Sequence, residues 1–179
     1  MNEGSNQIFG EIIRIDNVNT YLVKVQSESS FEPGVGEFAG VNSCDGLVVC
    51  VIKGVQRSVP EELATLLSFE QELKYLPYNT DFKSSYYIVF GLGVLSDDIK
   101  YRIRTAPQIR SPVKRLNKET IRKFHLKDDK PNISYFNQYR ETLGDDLLLA
   151  ISDELMYMLP EASRMLLIVK KYLEGSGKL

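Results

Sequence analysis

The chain has 179 residues and a formal net charge of −2, with 43% apolar and 26% charged residues. This composition excludes a disordered chain, and the length allows one full domain or a domain of about 100 residues with a smaller appendage. The opening residues lack the basic and apolar regions of a signal peptide, and no stretch reaches the ~20 apolar residues of a membrane span. We therefore expect a cytoplasmic protein without membrane contact.

Charge is distributed unevenly along the chain. Residues 1–99 carry 6 Lys+Arg against 14 Asp+Glu, residues 100–130 carry 11 against 3, and residues 131–179 carry 5 against 7. Half of the basic residues therefore lie in one short segment, which is a candidate contact for an anionic partner.

Residues 1–105 predict a β-barrel domain. Apolar side chains alternate in segments 9–15 and 20–26, and the polar residues between them favour a hairpin turn. Segments 47–56, 84–95 and 99–105 add further strands, and Pro60 with two following glutamates predicts a helix over 61–76. We expect a small antiparallel barrel of about five to seven strands with this helix inserted.

The remaining residues predict a linker and a helical unit. Segment 106–133 is basic, and its first part, 106–117, contains prolines and has no regular period, so we interpret the segment as a linker over the surface. Residues 118–124 within it, KETIRKF, are a candidate for a short helix. Apolar residues recur at spacings of three and four over 134–159, and Pro160 begins a second helix that ends at Gly175. The predicted fold class is therefore α+β: a barrel over 1–105, then a helical hairpin over 134–179.

Short glycine and apolar motifs in the first hundred residues resemble the HAS barrel, the small β-barrel that opens HerA-type DNA-translocating ATPases and the catalytic subunits of rotary ATP synthases. The similarity covers the chain to about Thr105 and lies in Gly10-Glu11-Ile12-Ile13, Gly36-Glu37-Phe38, Asp45-Gly46, Ile52-Lys53-Gly54-Val55 and the run IVFGLGVL that ends at Leu95. The resemblance implies a docking or oligomerising collar without catalytic residues. Helical residues follow the barrel here in place of the ATPase core.

Motifs that would carry chemistry are incomplete. Residues 175–179 end like a phosphate-binding loop but lack its first glycine and the Ser or Thr after the lysine, and His125 is the only histidine. We interpret His125 as a surface imidazole and Cys50 as a small buried apolar residue. Four carboxylate pairs leave open an acidic site: Glu61-Glu62, Asp97-Asp98, Asp128-Asp129 and Asp145-Asp146. We otherwise expect no enzymatic activity, no cofactor and no metal.

Two functional hypotheses follow, with an unrecognised carboxylate enzyme as a third. The first is a non-catalytic adaptor that contacts a protein, either a ring-forming DNA-translocating ATPase or further copies of itself. Its candidate surface is the aliphatic face of Met156, Leu159, Leu166 and Leu167, although each of these residues taken singly is better explained as part of the seam between helices and barrel.

The second hypothesis is a nucleic-acid-binding accessory protein that uses the basic segment 100–130. On a strand, residues 100, 102 and 104 project to the same side at a spacing close to that of phosphates in an extended single strand. The candidate contacts for an anionic partner are Lys100, Arg102, Arg104, Arg110, Lys114, Arg115 and Arg122.

Overall fold

The computed structural model describes residues 7–25, 32–58, 84–127 and 130–176. Seven strands form the main sheet: β1 (Ile8–Asn17), β2 (Thr20–Val25), β3 (Phe38–Ser43), β4 (Gly46–Ser58), β5 (Ser84–Leu95), β6 (Ile99–Lys100) and β7 (Pro112–Arg115). A short separate hairpin consists of β8 (Leu126–Lys127) and β9 (Lys130–Pro131). The predicted helix over 61–76 lies outside the described residues.

Six of these strands close into an antiparallel barrel. The order around it is β1, β2, β5, β4, β3 and β7, and β7 pairs back onto β1 to complete the ring. Strand β6 pairs with the same edge of β5 as β2 does, beyond the point where β2 begins: Thr20 pairs with Phe90, and Lys100 with Val94. Closure leaves no free edge in the ring, which stabilises strands this short.

The barrel interior is filled by side chains from every strand in the ring. Cys50 is among them and is fully buried, as the sequence predicted. Ile103 also belongs to this core although it lies in no strand: a Cβ at Gly91 would stand only 2.5 Å from its Cδ1. The chain after β6 therefore folds inward and plugs the barrel.

Four helices follow the last strand of the ring. They are α1 (Lys118–His125), α2 (Tyr135–Leu143), α3 (Asp145–Met158) and α4 (Ser163–Ser176), with a 3-10 turn (Pro160–Ala162) before α4. The Asn117 side chain accepts a hydrogen bond from the Thr120 backbone N–H at 2.9 Å and caps α1. Gly144, with φ 80°, separates α2 from α3.

The helices cover the outer face of β3, β4 and β5. A second core joins Phe38, Val49, Val51, Phe90 and Leu92 of the barrel to the apolar faces of all four helices. Barrel and helices are thus packed through one continuous apolar layer, and the strands facing it are apolar on both sides.

The predicted α+β class, an antiparallel barrel followed by a helical hairpin, is confirmed. The first arm of the hairpin is broken into α2 and α3, because Gly144 adopts a backbone conformation that ends a helix. The interpretation of 106–133 as a linker is wrong over Pro112–Arg115, which closes the barrel. The short helix expected within that segment is present as Lys118–His125.

In the described ranges, none of the helices combines the length and the apolar character that crossing a bilayer requires.

Candidate binding surfaces

Three exposed cations follow one another where the chain leaves β6; we call Lys100, Arg102 and Arg104 the basic edge. Tyr101 and Ile103 between them turn inward, so the alternation predicted for a strand is present in the exposure pattern. The strand pairing itself ends at Lys100. Among the described residues, no carboxylate lies within ion-pair distance of the basic edge.

The backbone beneath the basic edge is held by hydrogen bonds to α2. The carbonyl oxygen of Tyr101 accepts from the Tyr139 hydroxyl at 2.8 Å and from Gln138 Nε2 at 3.3 Å. The Tyr101 hydroxyl donates toward the carbonyls of Phe124 and Asn132, at 3.4 and 3.3 Å, and burial raises its pKa to about 12. The three cations therefore project from a fixed segment.

The other four predicted contacts do not extend this edge as one stripe. Arg110 is exposed in the turn before β7, where its backbone N–H donates to the Ile12 carbonyl, and Lys114 is half-buried on β7. Arg115 faces Glu37 with 3.9 Å between Nη2 and Oε2, and Arg122 pairs with Glu161 at 2.8 Å. Two of the seven cations are thus partly neutralised within the chain itself.

His125 is buried, so its interpretation as a surface imidazole is wrong. Nδ1 lies 2.8 Å from the Ile121 carbonyl oxygen and Nε2 lies 2.9 Å from the Tyr135 hydroxyl. Burial lowers the pKa of the imidazole to about 4, against a smaller opposing effect of the Ile121 carbonyl. Both ring nitrogens are occupied in the core, which leaves His125 no access to a substrate.

The carboxylate pairs proposed for an acidic site are dispersed. Glu61-Glu62 and Asp128-Asp129 lie outside the described residues. Asp145 begins α3 and receives two hydrogen bonds from Arg140, at 2.7 and 2.9 Å, which lower its pKa. Asp97 and Asp98 form the turn between β5 and β6 and line a surface depression of about 800 Å³.

A pair of glutamates that the sequence did not single out lies where α3 meets the barrel. The pKa of Glu154 is raised by burial and by Glu37, and Arg115 acts in the opposite direction. Glu37 Oε2 is buried without a hydrogen-bond partner. These two residues are 117 positions apart, and no sequence pattern indicates that they are neighbours.

Helix α4 exposes apolar side chains to solvent. Leu167 is 51% exposed, Ile168 66% and Tyr172 63%. Arg164 and Lys171 are exposed on the same side of the helix, and no carboxylate of the described chain pairs with either. We call these five residues the α4 strip.

The aliphatic face predicted from the sequence divides between core and surface. Leu159 and Leu166 are buried and Met156 is half-buried, so these three form the seam between helices and barrel. Leu167 alone of the four belongs to the α4 strip. The exposed residues next to it follow from the helix period, since positions 164, 168, 171 and 172 share one side.

Within the described ranges, no three or more His, Cys, Asp or Glu side chains are grouped as a metal site would require. Models of known protein families give no match to the chain, and a search of curated proteins gives none either.

Proposed function

We propose that this protein is a non-catalytic adaptor that docks a protein partner on the α4 strip. The observation that carries the proposal is the exposure of Leu167, Ile168 and Tyr172 side by side on one helix. Contiguous apolar surface on a folded protein typically marks an interaction site, whereas single exposed apolar residues are ordinary. Histidine is the commonest catalytic base, and both ring nitrogens of the sole histidine, His125, are hydrogen-bonded in the core.

The chemistry of the α4 strip favours an acidic amphipathic segment as its occupant. Arg164 and Lys171 flank the apolar residues and have no counterion within the described chain. A helix with an apolar stripe bordered by carboxylates would cover the apolar side chains of the strip and neutralise Arg164 and Lys171. Two copies of this chain paired antiparallel about Ile168 would instead bring four such cations into one interface.

The barrel resemblance favours one class of protein partner. The similarity to the HAS barrel supports a ring-forming DNA-translocating ATPase as the protein that is contacted. In this proposal the barrel is the rigid support, because the apolar layer under α3 and α4 fixes the strip to β3, β4 and β5.

The test is capture of partners from native extract by the full chain, compared with an Ile168→Glu variant and with a double variant, Arg164→Glu with Lys171→Glu. We expect one polypeptide to be lost with both variants. Photo-crosslinking through Lys171 should join it at a segment with an apolar stripe and flanking Asp or Glu. The matched control is Ile109→Glu, because Ile109 is 59% exposed but lies before β7.

Two results would overturn the proposal. One is a captured partner that the folded Ile168→Glu variant retains, or that Ile109→Glu loses equally. The other is a purified dimer that dissociates on Ile168→Glu, which would make a second copy the occupant. Circular dichroism of each variant separates lost binding from lost folding.

The basic edge supports a second candidate function, nucleic-acid binding. Lys100, Arg102 and Arg104 are exposed on one side of a fixed segment and lack ion-pair partners in the described chain. Three like charges so placed repel one another, and a polyanion would relieve that repulsion. This surface lies at the end of the barrel beyond β2, and the α4 strip lies on the helical layer, so the two functions are separable by mutation.

A further inference from the structure

A surface depression of about 800 Å³ lies between the β5–β6 turn, α1 and the β8–β9 hairpin. Its volume falls in the range of small-molecule sites, roughly 300–1,000 Å³. Apolar side chains of Leu95, Ile99 and Leu126 line part of it, and uncharged polar and charged residues line the rest. Neither the α4 strip nor the adaptor proposal involves this depression.

Three lysines reach the depression from three separate elements: Lys100 from β6, Lys123 from α1 and Lys127 from β8. The ion pair of Lys123 with Glu119 joins two largely exposed side chains, so it neutralises little. Lys100 and Lys127 have no carboxylate within ion-pair distance among the described residues. Three lysines therefore line one concave surface, where an anion placed beside them would be held by their charge.

Two carboxylates line the same depression and form no ion pair with its lysines. Asp97 and Asp98 line the depression from the β5–β6 turn, yet neither pairs with a cation of the described chain. Carboxylates accept hydrogen bonds from hydroxyl groups, and lysines bind phosphate as point charges. A ligand with a phosphate at one end and hydroxyls at the other satisfies both sets of groups.

We infer that this depression binds a phosphate carried on a hydroxylated body, as in a nucleotide. The lysines hold the phosphate, and Asp97 and Asp98 accept hydrogen bonds from the sugar hydroxyls. The same chemistry has two sources, a free nucleotide and the phosphorylated end of a nucleic-acid strand. Lys100 belongs both to the depression and to the basic edge, so a strand end placed here could continue along Arg102 and Arg104.

The test is a titration of the full chain followed through its backbone amide chemical shifts. The probes are pyrophosphate, adenosine 5′-monophosphate, adenosine, and one short oligonucleotide with and without a 5′-phosphate, each compared with sodium chloride at equal ionic strength. We expect the phosphate-bearing probes to shift residues 95–101 and 123–127, and adenosine to shift none of them. Tighter binding of the phosphorylated oligonucleotide than of the mononucleotide assigns the site to a strand end, and the reverse assigns it to a free nucleotide.

Variants make the assignment specific. Changing Lys100 and Lys127 together to alanine should weaken pyrophosphate binding by at least about tenfold, which corresponds to the loss of one good charged contact. Changing Asp97 and Asp98 to asparagine should weaken the mononucleotide and leave or strengthen pyrophosphate. The control is Lys24→Ala on β2, an exposed lysine outside the depression, the basic edge and the α4 strip, which should change neither affinity.

The inference is overturned if millimolar pyrophosphate and mononucleotide shift no residue of this depression. It is also overturned if the shifts persist in the lysine variant, or if the Asp variants leave the mononucleotide affinity unchanged. Loss of partner capture by the α4 variants would not alter any of these outcomes, so the adaptor proposal and this site fail independently.

Discussion

The Nε2 atom of His125 lies 2.9 Å from the Tyr135 hydroxyl oxygen, in the core where α1 meets α2. Burial raises the pKa of Tyr135 well above its usual value, so the hydroxyl keeps its proton. Because Nδ1 faces a carbonyl acceptor, we assign the ring proton to Nδ1, which makes Nε2 the acceptor for Tyr135. Protonating Nε2 would remove the acceptor that the Tyr135 hydroxyl proton uses in this arrangement.

This pair predicts a loss of stability in mild acid. The pKa of His125 falls from 6.5 to about 4 on folding. The imidazole is therefore protonated below about pH 6.5 in the unfolded chain but only below about pH 4 in the folded chain. Stability from this group is complete above pH 6.5 and declines as the pH falls, by about 3 kcal/mol in all. Urea unfolding at a series of pH values measures it.

The sole histidine makes this pH window diagnostic. Aspartate and glutamate titrate mostly below pH 5, so between pH 6.5 and 5 the decline should vanish in a His125→Gln variant, even though that variant is less stable at pH 7. A decline of equal slope in the variant would show that another group is responsible.

Two glycines with positive φ predict a graded series of stability losses. Gly36 has φ 92°, and a Cβ there would lie 2.9 Å from Ala150 Cβ on α3; Gly144 has φ 80° but open space around it. Alanine at Gly144 should cost about 1–3 kcal/mol of backbone strain, and alanine at Gly36 more, because it adds a clash between barrel and helix. Gly34→Ala is the control: it meets only the Glu37 side chain at 3.8 Å or more, so it should change stability by less than about 0.5 kcal/mol.

The free energy of unfolding from urea titration ranks these three variants. Equal losses at Gly34 and Gly36 would contradict the close packing of α3 on the chain entering β3.

Sequence periodicity was sufficient for the elements whose partners are local. Segments 9–15 and 20–26 were predicted to pair as a hairpin, and β1 and β2 do so. Strand β7 could not be found this way, since it has four residues, begins with a proline and pairs only with β1 and β3, both remote in sequence. Its conformation is imposed by barrel closure rather than by local preference.

The basic charge around α1 led to the wrong prediction for His125. Its basic neighbours suggested that His125 lies on the surface, yet Ile121, Phe124 and His125 are spaced as one helical face and are all buried. That spacing was the signal available in the sequence. The break at Gly144 was likewise hidden, because the apolar spacing continues from Leu143 to Leu147 across it, although the two aspartates after it are typical of a helix start.

The burial of Ile103 between exposed cations predicts that the basic edge contributes little to the stability of the core. Ile103 is 4% exposed and packs in the barrel beside Gly91, so Ile103→Ala should cost about 2–5 kcal/mol of unfolding free energy. Arg102→Ala and Arg104→Ala on either side should each change it by less than about 0.5 kcal/mol. Thermal or urea unfolding checks this, and a large loss at either arginine would show that the edge is structural.

The last prediction concerns nucleic acid at the basic edge. If a single strand binds there, the logarithm of its affinity should fall linearly with the logarithm of salt concentration, by about 0.7 for each phosphate neutralised. Changing Lys100, Arg102 and Arg104 together to glutamine should reduce that slope by about 2, because three contacts are lost and fewer counterions are released. Fluorescence anisotropy of a mixed-sequence single strand measures both quantities.

Arg122→Gln is the matched control, since Arg122 is exposed and basic but already paired with Glu161 at 2.8 Å, and its removal should leave the slope unchanged. An equal change in slope from Arg122→Gln, or no binding of single strands at low salt, would contradict nucleic-acid binding at this edge. Binding of an acidic protein alone would then be the remaining use of these three cations.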